Sequence, residues 1–134
     1  MKLSSKARYG LKAMCYLAQH YGQGAKPLNA MASSTQLSEK YLEQLLAILR
    51  KAGLVESARG AAGGYYLSRS PEQISAGEVL RAVEDGLVIV DCLSGACDNR
   101  GQCATYHVWN KLYRAINDCL DAMPLSSLAE ESGV

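Results

Sequence analysis

Between Leu37 and Leu67 the chain reads LSEKYLEQLLAILRKAGLVESARGAAGGYYL, and its apolar pattern changes from a helical to a strand period across one glycine. Ser38 is a good N-cap, its hydroxyl placed to accept from one of the first free N–H groups of a helix. Tyr41, Leu42, Leu45, Leu46, Leu49 and Ala52 then recur at helical spacing, a stripe that must pack on something. Gly53 suits the left-handed position just past a helix end. Leu54 to Ser57 and Tyr65 to Ser68 read as two short strands. Arg59-Gly60-Ala61-Ala62-Gly63-Gly64 forms the tip between them, with one cation at its root. A capped helix followed by a hairpin with a basic tip is the signature of a winged helix-turn-helix, a shape that fits duplex DNA.

The charge is divided accordingly. Residues 1–70 carry ten Lys and Arg against three Glu, a balance of +7. Residues 71–134 carry four against ten acids, a balance of −6, and together the halves return the net +1. A basic half fits phosphate, where it displaces counterions, better than it fits an acidic protein or a membrane. With 134 residues, 49% of them hydrophobic and 20% charged, the chain is sized for one domain, or a small domain plus a dimerisation arm. No run approaches the ~18 apolar residues of a membrane span. The first residues, MKLSSKARYGLKAM, are too polar for a signal peptide. The expectation is a cytoplasmic protein that does not engage a membrane.

The remaining elements follow from caps and periodicity. Ser4 or Ser5 caps a first helix reaching about His20, with Ala7, Leu11, Met14, Leu17, Ala18 and Tyr21 as its inner face. Lys2, Lys6, Arg8 and Lys12 gather at its start, where side chains and free N–H groups would meet a phosphate together. After a loop over 22–27, a short helix from Leu28 to Ser34 turns inward Leu28, Met31 and Ala32, and Thr35-Gln36 turns into the Ser38 helix. The N-terminal residues of that second helix lie nearest the bases in such a fold. Ser38, Glu39, Lys40, Glu43 and Gln44 occupy those places. Glu43 suits a cytosine amino group, Gln44 an adenine, and Lys40 a phosphate. Arg59, beside the flexible Gly60, suits a narrow minor groove, and Gly63-Gly64 would supply positive φ for the hairpin.

Ser75-Ala76-Gly77-Glu78 is a capping box that opens a fourth helix, with Val79, Leu80 and Val83 inward and Gly86 at its end. Leu87 to Val90 is an apolar, extended-looking run, and Asp91 to Gln102 reads as a loop. A long helix follows from about Ala104 to Met123. Its stripe of Val108, Trp109, Leu112, Ile116, Cys119, Leu120 and Met123 exceeds what the small N-terminal domain needs, and a two-fold partner would bury it. Pro124 ends that helix, and the tail beyond Leu128 is expected to be loose. The fold class is therefore mainly α with a small β-wing: a winged helix-turn-helix domain plus a long C-terminal dimerisation helix. The divisions are a DNA-binding domain over 1–85, a cysteine-bearing segment over 86–103, and the dimer helix with its tail over 104–134.

Of the five cysteines, Cys92, Cys97 and Cys103 fall within twelve residues, spaced C-x4-C-x5-C. That odd, clustered set is not a disulfide scaffold. Thiolates are soft ligands, and three in one loop without a C-x2-C pair suit an iron–sulfur cluster better than zinc, with a thiol switch as the alternative. His107, one turn into the long helix, is the nearest nitrogen ligand. Cys15 and Cys119 sit on apolar stripes as buried small hydrophobes, and His20 serves as a charge partner at a helix C-terminus. An enzyme such as a thiol oxidoreductase or cluster carrier is disfavoured: there is no C-x-x-C, no phosphate loop and only two histidines.

The opening M-K-L-S-S-K-A-R-Y-G, the stretch Y-L-E-Q-L-L, and A-G-L-V-E-S-A-R-G-A-A-G-G-Y resemble the Rrf-two family of bacterial winged-helix regulators. The likeness runs through the three cysteines, Trp109 and the tail L-S-S-L. It implies a homodimer with crossing long helices on palindromic double-stranded operators, with groove contacts from Glu43 and Arg59. In the cluster-binding members, cysteines matching Cys92, Cys97 and Cys103 hold a 2Fe-2S or 4Fe-4S centre, which need not survive isolation. The cluster state then alters DNA affinity in response to iron–sulfur status, oxidants or nitric oxide. The first cysteine gap is one residue shorter than in the family's iron–sulfur regulator. Anchoring on Trp109 places Tyr106, not His107, at that regulator's histidine position. Arg8 stands where some relatives carry a ligating carboxylate. The fourth ligand stays open between His107 after a small helix shift, Asp98 and a small molecule. The rival within the same resemblance is a cluster-free repressor governed by thiol oxidation or a partner protein.

Overall fold

The computed structural model describes residues 3–84, Leu87, Leu93 and 103–131. Its described elements are α1 (Ser5–Gln19), α2 (Leu28–Thr35), α3 (Glu39–Lys51), β1 (Val55–Ala58), β2 (Gly64–Leu67), a 3-10 turn over Pro71–Gln73, α4 (Ala76–Val83), α5 (Ala104–Asp121) and α6 (Leu125–Glu131). Cys92, Cys97 and Gly86, with most of the apolar run and loop that follow α4, lie outside the described residues. The class is as expected, mainly helical with a two-stranded antiparallel wing.

The centre is built by α3. Ser38 Oγ accepts from the Tyr41 N–H at 3.1 Å, and Leu42, Leu45, Leu46 and Leu49 are buried in register. Each such side chain, fully removed from water, contributes about 1.5–3 kcal/mol. The helix ends with Gly53 at φ 81°. There the Gly53 N–H reaches the Arg50 carbonyl and the Leu54 N–H the Leu49 carbonyl, both at 3.0 Å, the paired bonds of a Schellman cap. Ala52, read as part of the stripe, is exposed at this cap. The strands begin one residue later and earlier than the sequence pattern gives, with Val55 paired to Leu67 and Ala58 to Gly64.

Around α3, α1 packs on α4 and α6, and also on α2, α3 and β2. Ser4 caps it, and Met14, Leu17 and Ala13 are among its buried residues. Tyr21 falls beyond its end and is 49% exposed, whereas Tyr16 is buried. Thr35 is not a turn residue but the last of α2, buried, with its hydroxyl donating to the Met31 carbonyl at 2.7 Å. Gln36 makes the turn at φ 60°. The Ser75 hydroxyl accepts from the Glu78 N–H at 3.1 Å, the expected half of the capping box. The Glu78 carboxylate instead pairs with Arg69 at 2.6 Å, because a cation lies within its reach.

Of the tail beyond Leu128, residues up to Glu131 are described, and they continue a helix. α6 docks on α1, with Leu125 fully buried and Leu128 and Ala129 against the core. Pro124 stands between two helices, and α5 has already ended at Asp121. The Ala76 N–H donates to the Met123 carbonyl and the Leu125 N–H to the Ile74 carbonyl, both at 2.8 Å. These bonds clamp the α5–α6 corner to the start of α4. By contrast α5 has no fully buried residue, and Val108 and Leu112 are 57% and 43% exposed. Cys119, expected inside, is exposed: among the described residues only part of the stripe, Leu120 included, packs against the core.

Candidate nucleic-acid interface

The α3 leucines fix which side of the helix faces outward. With Leu42, Leu45 and Leu46 inside, Glu39, Lys40, Glu43 and Gln44 are exposed on the opposite side, at and after the capped start. Ser38 spends its acceptor on the cap and keeps its hydroxyl proton for a partner. Tyr41 turns sideways and meets Tyr9 of α1 edge to face. The Arg8 guanidinium in turn lies 5.2 Å from the Tyr9 ring centre. This chain of contacts brings the basic start of α1 beside the start of α3.

At that start the free N–H groups expected to meet phosphate are partly spoken for. The Ala7 N–H donates to Ser4 Oγ at 3.4 Å, and the Ser4 N–H donates to the Glu84 carboxylate at 3.0 Å, as does the Ser4 hydroxyl. Glu84 thus supplies an anion of the protein's own at the positive end of α1. The side chains of Lys6 and Arg8 remain exposed. Neither Tyr9 nor Glu84 stood out in the sequence, since no local spacing announces a contact between helices so distant along the chain.

The wing carries the other cation. Arg59 and Gly60 are exposed at the hairpin turn, with Gly60 at φ 101°. Gly63, expected to supply positive φ, does not. It is a glycine for want of space, because a Cβ there would strike the Ala58 carbonyl oxygen. Gly64 does have positive φ, 149°, and a Cβ would collide with the Lys26 carbonyl. Behind it, Lys26 and Tyr65 exchange two backbone hydrogen bonds of 2.9 Å each, so the loop before α2 adds a one-residue strand to the wing. Among the described residues the ion pairs are Arg69–Glu78 and Arg81–Asp121. Lys6, Lys40, Arg50, Lys51 and Arg59 enter neither, leaving positive charge on this surface for an outside anion.

Of the candidate metal ligands, Cys103 and His107 are described. Cys103 occupies the N-cap position of α5 and is half-buried, with Sγ 3.0 Å from Thr105 Oγ. The Thr105 hydroxyl, then the N–H groups of Tyr106 and Thr105 at the helix start, hold the thiol below its ordinary range. His107 is exposed one turn on, its ring centre 6.0 Å from that of Tyr106 with the planes at 68°. Among the described residues no three His, Cys, Asp or Glu converge on a metal site. Cys92 and Cys97 are outside them. Cys15 is half-buried, and burial pushes its thiol up, as befits a small hydrophobe.

Residues 3–131 match the family model Rrf2, described as an iron-dependent transcriptional regulator. The chain belongs to the Rrf2 family. It is 41% identical over 129 residues to the HTH-type transcriptional regulator CymR of Bacillus subtilis, covering 96% of this chain and 90% of the relative. It is 38% identical over 135 residues to the regulator IscR of Aliivibrio salmonicida, covering all of this chain and 80% of that one. Among solved structures, that of B. subtilis CymR, the global cysteine regulator of that organism, superposes with a TM-score of 0.84 at 39% identity over 98% of both chains. The T. potens IscR structure gives 0.80 at 42% identity over 98% of this chain and 88% of that one. This Rrf2 member is a DNA-binding transcription regulator, not an oxidoreductase or carrier enzyme. No described helix is long and apolar enough to cross a membrane.

Proposed function

We propose that this Rrf2 protein is a cytoplasmic homodimeric repressor that binds palindromic operators and senses iron–sulfur, redox or nitric oxide status through its cysteine-bearing segment. The observation carrying the dimer is the α5 stripe, with Val108 and Leu112 exposed among the described residues on a helix tied to α4 at its C-terminal end. A two-fold copy of α5 buries that stripe and sets two reading heads on one duplex. Each head, residues 1–85, places Lys6, Arg8 and Lys40 on phosphates, with Ser38, Glu43 and Gln44 at base edges. Arg59 enters the minor groove, and Gly60 lets the wing tip lie close to the backbone.

The sensor is the 86–103 segment, with Cys92, Cys97 and Cys103 as ligands of a 2Fe-2S or 4Fe-4S cluster. His107, Asp98 or a small molecule completes the set. Cys103 fits this role on its own chemistry, since its position favours the thiolate that ligates. When bound, the cluster supplies reversible redox and ligand-loss chemistry. The protein's part is mechanical: the segment is bracketed by Glu84, held on Ser4 at the start of α1, and by Cys103 at the start of α5. Arg81 adds a second tie, donating to Asn117 at 2.9 Å and Asp121 at 2.6 Å. A change in the segment therefore acts on the basic start of α1 and on the dimer helix together. The factor by which the cluster shifts DNA affinity equals the ratio of its own affinities for the two arrangements.

A second reading keeps the reader and drops the cluster, leaving control to thiol oxidation or a partner protein. The lowered Cys103 thiol favours it equally, as does the likeness to CymR, a global cysteine regulator. Anaerobic isolation with visible absorption and iron analysis decides. A coloured, iron-containing protein that Cys97→Ser turns colourless while leaving a folded dimer supports the cluster. An iron-free protein whose operator affinity is moved by thiol oxidants supports the second reading.

A further inference from the structure

Apart from the α5 stripe, the large hydrophobics that stand out as exposed among the described residues are Leu3, Tyr21 and Tyr66. Both tyrosines, 49% and 38% exposed, line one cleft of about 580 Å³ between the end of α1, the loop over 22–26 and the wing. That volume falls within the ~300–1,000 Å³ of small-molecule sites. Leu17 and Leu67 give its floor apolar character, and Tyr65, His20 and Lys26 complete the wall that matters for binding.

The cleft is held in shape. The double hydrogen bond between Lys26 and Tyr65 ties the loop to β2. His20 packs on Tyr16 with ring centres 4.5 Å apart, and its Nδ1 lies 3.1 Å from Gln23 Oε1. Among the described residues Lys26 is the lone Lys or Arg lining the cleft, and no Asp or Glu lines it. Glu56 faces Tyr66 across the hairpin, where it accepts from the phenol. Aromatic walls with a single cation select a flat apolar body bearing one negative charge. We propose that this cleft binds a small aromatic carboxylate, its ring against the tyrosines and its carboxylate paired with Lys26, directly behind the Arg59–Gly60 tip. Its test needs neither operator nor metal.

The test is a titration of the isotope-labelled full chain, followed by NMR, with indole-3-acetate and with its neutral analogue indole-3-ethanol. Indole-3-acetate is expected to shift the Tyr21, Lys26 and Tyr65 amides saturably. Lys26→Met should weaken the acid about tenfold while leaving the alcohol unchanged, which also shows that the cleft persists in the variant. Tyr21→Ala should weaken both. The proposal is overturned by the absence of saturable shifts at millimolar acid, or by equal weakening of acid and alcohol in Lys26→Met. It is also overturned if short duplex DNA moves these amides and the acid does not, since the cleft would then be DNA surface.

Discussion

Tyr9 of α1 and Tyr41 of α3 meet edge to face, ring centres 5.9 Å apart and planes at 89°. The contact is small in area but sits between two groups that must act together. Arg8 rests over one ring, and the other belongs to the first turn of α3, the helix proposed to face the bases. Such a pair contributes about 0.5–1.5 kcal/mol beyond its buried area. A double-mutant cycle with Tyr9→Ala and Tyr41→Ala, read by urea unfolding, should return a coupling of that size. Each single variant should also bind duplex DNA more weakly, because the Arg8 perch moves with the ring. Additive stability losses would reduce the contact to coincidence.

Two glycines with positive φ should respond unequally to alanine. Gly53 has open space around the position of a Cβ, so Gly53→Ala should cost only the left-handed penalty, about 1–2 kcal/mol. Gly64→Ala adds a collision with the Lys26 carbonyl and should cost at least ~3 kcal/mol, with loss of the loop-to-wing bridge. Unfolding midpoints of the two variants give the comparison directly.

Cations on the reading surface should divide by role. Arg59→Ala should weaken binding to a preferred operator by about 1–3 kcal/mol and relax sequence preference under the tip. Lys6→Ala should weaken all duplexes alike and lower the salt slope of binding by about one. Fluorescence anisotropy over a salt series separates them, and an unchanged affinity for Arg59→Ala would take the wing out of the interface.

The two described half-buried thiols should differ in alkylation. In metal-free protein the Cys103 thiol is lowered by the Thr105 hydroxyl and the helix N–H groups, so its thiolate fraction at neutral pH is raised. Burial pushes the Cys15 thiol the other way. Site-resolved mass spectrometry with iodoacetamide should show Cys103 reacting first. Its rate midpoint should lie at lower pH than that of an unstructured cysteine. Thr105→Val should move that midpoint up, and no movement would remove the hydroxyl as the cause.

Much of the reading head was legible because its signals are local. Ser38, the leucine stripe and Gly53 together specify α3, and a stripe of period 3.6 also states which residues stay outside, so Glu43 and Gln44 were placed correctly on the exposed face. The exposure of Val108 and Leu112 follows from the same logic. A stripe longer than the described domain covers is what the proposed two-fold partner would bury.

What periodicity could not express is pairing between segments far apart in the chain. The Lys26–Tyr65 bridge, the clamp of Met123 and Leu125 on α4, and the docking of α6 on α1 depend on which surfaces come to lie side by side. Backbone N–H and C=O groups carry no residue-specific label by which such partners are chosen. The same holds for Gly63, whose lack of a side chain answers to the Ala58 carbonyl across the turn. Caps and hydrophobic spacing set the helices, the wing and the charge they display. Only the packed chain decided where the tail went, which N–H groups Glu84 and Ser4 would occupy, and that a tyrosine-lined cleft would open behind the wing, because those outcomes depend on distances that no run of neighbouring residues encodes.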